Sequence, residues 1–134
     1  MKKLNNKGFT LVEIVIVIVI IAILAAMLVP SLTAWIDKSK VKTFTSACGT
    51  IKTAVWSEVA EKYAIDGTTT VDSWDKITDA VGKTVSGTAI PDGGYKVTYD
   101  YSAGSMTVED KTYTGTWASS SATSWTVEKK GASK

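Results

Sequence analysis

The 134-residue sequence contains no histidine and no arginine, a single cysteine (Cys48) and two prolines (Pro30 and Pro91). Without histidine there is no side chain whose ordinary pKa suits proton transfer near neutrality, and no nucleophile has an evident base beside it. No glycine-rich phosphate loop is present. The chain therefore reads as a non-enzyme, and no cofactor is expected. One cysteine cannot close an intramolecular disulfide, and no Cys/His spacing suits a metal. Cys48 reads as a small buried apolar residue, with an intermolecular bridge or a reactive thiol as the alternatives.

Charge is also sparse and even. All fifteen basic residues are lysine, and three of them (Lys2, Lys3, Lys7) lie in the first seven residues. Without that head, twelve lysines face thirteen acids and the formal charge falls from +2 to −1. The body thus offers no strongly basic surface, so strong nucleic-acid binding is not expected.

What the sequence does have is one long apolar run. From Phe9 to Val29 there are twenty-one residues, interrupted only by Thr10 and Glu13. As a helix this run spans roughly 30 Å, the thickness of a bilayer's hydrocarbon. Lysines ahead of it favour a cytoplasmic head with the rest of the chain outside. A secretory signal would have a shorter run followed by a small-residue cleavage site. Here the run passes through Pro30 into an amphipathic pattern, so the one plausible cut lies before it, between Gly8 and Phe9. Glu13 needs a separate account, since an acid within a membrane helix costs a few kcal/mol, about 3 at the centre and less near an interface. It can snorkel among head groups in the first turn, where the helix dipole suits it. Alternatively it pairs with a cation. Cutting after Gly8 would create one, the Phe9 α-amine, four residues away on the same helix face or on a neighbouring helix, where the pair would set axial register.

Lys7-Gly8-Phe9-Thr10-Leu11-Val12-Glu13, the aliphatic run and Pro30 resemble the N-terminus of a type IV prepilin with its class III leader. The resemblance covers the leader and about the first thirty residues. It implies that a membrane-embedded prepilin peptidase cleaves after Gly8 and N-methylates Phe9. Gly8 would be needed because a side chain there would not fit the peptidase. Glu13 would aid assembly into a helical homopolymer through the pilus machinery of the membrane. The product would be a membrane-stored precursor that becomes a surface filament. A pseudopilin of a secretion or DNA-uptake system shares the same logic. A membrane-tethered extracellular binding domain, with the run as a permanent anchor, is the reading from another class.

The expected fold is α+β, a long helical spine packed on a small antiparallel sheet. Its parts are a leader (1–8), a membrane or filament-core helix (9–29), an amphipathic continuation (30–63), a connection with a short helix (64–91) and a sheet with a tail (92–134). Pro30 predicts a helix kink, or a stretch that loosens when the helix leaves lipid. Val41, Phe44, Cys48, Ile51, Val55 and Val59 recur in steps of three and four, the stripe of a helix facing a core. Gly49 within that helix reads as a weak spot or a close-packing site, and Asp66-Gly67 as its stop. Trp74, Ile77 and Val81 share the face of a short helix, capped by Asp72 or a nearby Thr and ended by Gly82. Tyr95, Val97, Tyr99 and Tyr101 alternate with polar residues, a strand with its aromatics inward. Further strands are expected at 106–108, 112–117 and 124–128, with Lys129 to Lys134 frayed. Trp117 and Trp125 read as packing residues or as an exposed adhesive patch. Asp72, Asp75 and Asp79 could share a helix face and meet calcium, but read better as a solvated face with no metal.

Overall fold

The computed structural model describes residues 8–131. Most of the predicted leader, including Lys2, Lys3 and Lys7, and the last three residues of the predicted tail lie outside the described residues. The elements in order are α1 (Leu11–Asp66), α2 (Asp75–Val81), β1 (Val85–Ser86), β2 (Tyr95–Asp100), β3 (Ser105–Glu109), β4 (Tyr113–Trp117) and β5 (Thr126–Lys129). They form the predicted α+β arrangement of a long N-terminal helix and one small sheet. The chain divides into two compact units between Ser39 and Lys40.

The first unit is the N-terminal part of α1. Its large aliphatic side chains are all exposed, from Leu11 through Leu32. A helix apolar on every face is stable in lipid or among other helices, not alone in water. It is long and apolar enough to cross a membrane.

The second unit holds the core. The α1 stripe is as predicted: Phe44, Cys48, Ile51, Val55 and Val59 are buried and Val41 packs at their edge. Facing them are Tyr95 and Val97 of β2, Met106 and Val108 of β3, and Tyr113 of β4, with Ile77 and Val85 closing one end. The five strands lie in chain order, with β2 to β5 antiparallel. β1 pairs with β2 in parallel, Val85 opposite Tyr95. Sequence reading leaves β1 within the connection, because two residues show no alternation. Its placement comes instead from the Tyr95 N–H donating to the Thr84 carbonyl at 2.9 Å and the Val85 N–H donating to Thr78 Oγ1 at 3.0 Å.

Gly94 and Gly115 are two of the glycines that lie against close neighbours. A Cβ on Gly94 would lie 2.0 Å from the Thr84 carbonyl oxygen, so the β1–β2 junction admits no side chain there. A Cβ on Gly115 would lie 2.9 Å from Cys48 Sγ and 3.1 Å from Phe44 Cε1. Strand β4 thus presents bare backbone to the helix, and Cys48 fills the space. Of the two readings of Gly49, the close-packing one fails, since a Cβ there would meet nothing within 4 Å. Cys48 is fully buried, and that burial, reinforced by the charge of Asp110, pushes its thiol up to about 12. It is a packing group, not a nucleophile.

Several local expectations shift. Gly82 ends α2 in the left-handed conformation, as expected, but at its start the side chain that accepts from a first-turn N–H is Ser73, whose Oγ takes the Asp75 N–H at 3.3 Å. Asp72 is ion-paired with Lys62 instead. Tyr101 leaves the core because β2 ends at Asp100 and the alternation stops with it. The Tyr101 ring is 46% exposed, edge-on to Trp56 at 5.9 Å and stacked on Tyr63 at 6.3 Å. The last strand starts and ends later than expected, and its end is not frayed. Lys130 N–H donates to the Thr112 carbonyl at 2.7 Å, and Lys130 Nζ to the Asp110 carbonyl at 2.8 Å.

The first part of the connection is tied to the sheet by a phenol. Tyr99 Oη accepts from the Val71 N–H and donates to the Thr69 carbonyl, both at 2.9 Å. Tyr99→Phe should cost about 1–2 kcal/mol, since a half-buried N–H loses its partner. Amide hydrogen exchange should quicken at Val71 while Val97 and Val108 stay protected.

Acid should weaken this unit. The Thr68 hydroxyl, then the Thr68 N–H and Lys62, hold Asp66 below the usual carboxylate range. Lys111 does the same for Asp92, and the Ser102 hydroxyl with the Ala103 N–H for Asp100. A lowered folded pKa means the unfolded chain takes protons first. The stabilisation is therefore complete above the unfolded carboxylate range and is lost as pH falls through the lower folded values. Thermal melting of the full chain in detergent should be flat from neutrality to about pH 5 and fall below about pH 4, with a shallower acid limb in Asp66→Asn.

Candidate processing and assembly site

Gly8 and Phe9 precede α1 outside any helix or strand, and Phe9 is 81% exposed. Helix α1 begins at Leu11, directly after Thr10. A helix start leaves its first N–H groups without intrahelical partners. Here Thr10 and Glu13 each take up the other's N–H. The Glu13 N–H donates to Thr10 Oγ1 at 3.2 Å, and the Thr10 N–H donates back to Glu13 Oε2 at 2.8 Å. The Thr10 hydroxyl donates to the same Oε2 at 2.8 Å. This is a capping box, with the acid also favoured by the positive end of the helix dipole.

The box adds an account of Glu13 that the sequence reading lacks. Thr10 is the residue that reading passes over, although Thr-x-x-Glu ahead of an apolar run is itself a helix-start signature. The box does not exhaust the carboxylate, which has about four acceptor sites. In the uncleaved chain the Phe9 nitrogen is an amide, so a pair between its amine and Glu13 exists only after the cut.

Gly8 stands in open surroundings. Among the described residues, nothing lies within 4 Å of where its Cβ would be, and its φ is not in the left-handed region.

Pro30 sits inside α1, which continues on both sides of it. Its missing N–H leaves the Ala26 carbonyl without its helical partner. The hydroxyls of Ser31 and Thr33 donate back to the Leu28 and Pro30 carbonyls, both at 2.9 Å.

The remaining candidates do not converge on a site. Asp72 goes to Lys62, and Asp75 bonds Ser73 Oγ at 2.9 Å. Among the described residues no three acidic, histidine or cysteine side chains gather to hold a metal. Trp117 and Trp125 are half-buried, 5.6 Å apart, and both pack against the core. The Lys52 ammonium lies 3.2 Å from the Trp117 ring centroid and covers that ring.

The family description "Prokaryotic N-terminal methylation motif" matches residues 3–29, which contain the junction, the capping box and the apolar run. No curated protein and no solved structure matches the chain. The matched residues and the fold point to a structural protein processed at its N-terminus. The chain carries the N-terminal methylation signature of the type IV pilin-like prepilins, the group that includes the pseudopilins.

Proposed function

We propose that this chain is a pilin, the structural subunit of a type IV pilus. The single observation that carries the proposal is the junction itself. A glycine whose Cβ position meets no described residue is followed by an aromatic, a capped helix start bearing the only acid of the apolar run, and a run whose aliphatic side chains are all uncovered as far as Leu32.

The precursor is stored in the membrane with its head in the cytoplasm and the sheet-bearing unit outside. Lys2, Lys3 and Lys7 lie closer ahead of the run than Lys38, Lys40 and Lys42 lie behind Val29, and this asymmetry favours a cytoplasmic head. A prepilin peptidase cuts after Gly8, where a bare backbone admits the enzyme, and methylates the new amine of Phe9. The cut removes the lysines and leaves a cation one residue ahead of the capping box. Thr10 fixes where the helix starts, and so fixes the distance from the amine to Glu13. In the growing filament the amine of one subunit meets Glu13 of its neighbour. A subunit out of register leaves a charge unpaired among aliphatic side chains, which is strongly disfavoured.

The apolar helix is covered by lipid before assembly and by other helices after it. Transfer between the two exposes little to water, so helix packing and matched charges supply the net drive. Pro30 supplies a weak point at which the helix bends as it leaves the bilayer. The second unit then forms the filament's outer surface. Immunogold labelling of whole cells tests this reading. Long surface filaments labelled along their length support a pilin, and label confined to the envelope would overturn it in favour of a pseudopilin.

A further inference from the structure

Past Val29 the helix stays uncharged until Asp37, so the stretch without a charge runs from Ile14 to Ile36, twenty-three residues. That is about 35 Å of helix against roughly 30 Å of hydrocarbon, and Phe9 to Trp35 covers about 39 Å, close to the roughly 40–45 Å of a bilayer with its head groups. The two hydroxyls in this extension are already satisfied. The Ser31 and Thr33 hydroxyls bond carbonyls of their own helix, which is how such residues are tolerated in an apolar medium. Leu28, Ser31, Leu32 and Trp35 line an open groove along one helix face. Trp35 is 66% exposed. Lys38, three residues on, continues that face, while Asp37 lies on another. Along this one face the chain therefore passes from aliphatic to indole to ammonium. That sequence matches a bilayer's own passage from hydrocarbon through carbonyl region to head groups, where tryptophan and lysine settle.

We infer that Trp35 and Lys38 form an interfacial anchor that sets the depth of the stored precursor, the ligand being the outer-leaflet head-group region of a phospholipid bilayer. The inference rests on the membrane-stored precursor proposed above. It extends the lipid-embedded stretch six residues beyond Val29 and places Pro30 inside the bilayer rather than at its edge. The charge of Lys38 adds an attraction to anionic lipid that weakens with salt.

The test uses the full uncleaved chain in phosphatidylcholine–phosphatidylglycerol vesicles, with bromine either near the lipid head group or near the chain end. Trp35 is one of five tryptophans, so its signal is the difference between the wild type and Trp35→Phe. That difference should be quenched about twofold more by bromine near the head group than by bromine near the chain end. Equal insensitivity to both lipids, with the chain inserted, would overturn the anchor and place Trp35 in water or under a second copy. Stronger quenching from the chain end would overturn it by placing the indole in the hydrocarbon. Failure of the chain to float with the vesicles would instead sink the membrane-stored reading itself.

Discussion

Glu13→Gln should be cleaved after Gly8 as efficiently as the wild type and yet yield few or no filaments. Glu13 can act as a helix cap or as a register charge, and this variant separates the two. Glutamine serves a capping box about as well as glutamate, so the helix start and its bonds to Thr10 should survive. The negative charge does not. If Glu13 matters for register, the mature Phe9 amine then lacks its counter-charge among packed aliphatic helices, at a cost of about 3–5 kcal/mol. At about 1.4 kcal/mol per factor of ten, subunit addition should weaken a hundredfold or more. Thr10→Val is the reciprocal control. It removes the cap, worth about 1 kcal/mol, but leaves the charge, so filaments should be reduced only modestly. Sheared-filament yield and immunoblots of precursor and mature chain measure both. If the Glu13→Gln chain assembles normally while the Thr10→Val chain does not, Glu13 acts as a cap alone.

Gly115→Val should unfold or loosen the second unit while leaving the N-terminal helix able to insert in membrane. Its Cβ would lie 2.9 Å from Cys48 Sγ, 3.1 Å from Phe44 and 3.4 Å from Trp125. Neither neighbour on the helix can retreat, because both are buried between α1 and the sheet. Overpacking of this kind costs about 1–3 kcal/mol, and more where backbone must move, against a total stability of about 5–15 kcal/mol. Near-ultraviolet circular dichroism and a urea melt of the full chain in detergent should show the loss. Cys48→Ala opens the space that a methyl at 115 would occupy. The Cys48→Ala/Gly115→Ala double variant should therefore be more stable than the sum of its single changes predicts.

This contact shows where the sequence is legible and where it is not. The α1 stripe can be read because a helix repeats its buried face every three or four residues, and five of its six predicted members are fully covered. The alternation through β2 is readable for the same reason, up to Asp100, where the strand stops and Tyr101 turns outward. Gly115 carries no such signal. A glycine in a strand signals close approach only once the partner is known, and Cys48 is sixty-seven residues earlier. β1 is invisible for a related reason, being held by a tertiary bond from Tyr95 rather than by its own pattern. At the N-terminus the balance differs. Gly8, Phe9, Glu13 and the apolar run are all local in sequence, so the junction was readable from the chain alone. The capping box was equally local, but it is obscured when Glu13 is considered only as a charge in lipid.

The identity of the mature N-terminus tests the central claim most directly. Mass spectrometry of the chain sheared from cell surfaces should show a polypeptide beginning at Phe9 and carrying one N-methyl group. Sheared surface material that retains Met1 to Gly8 would contradict the account.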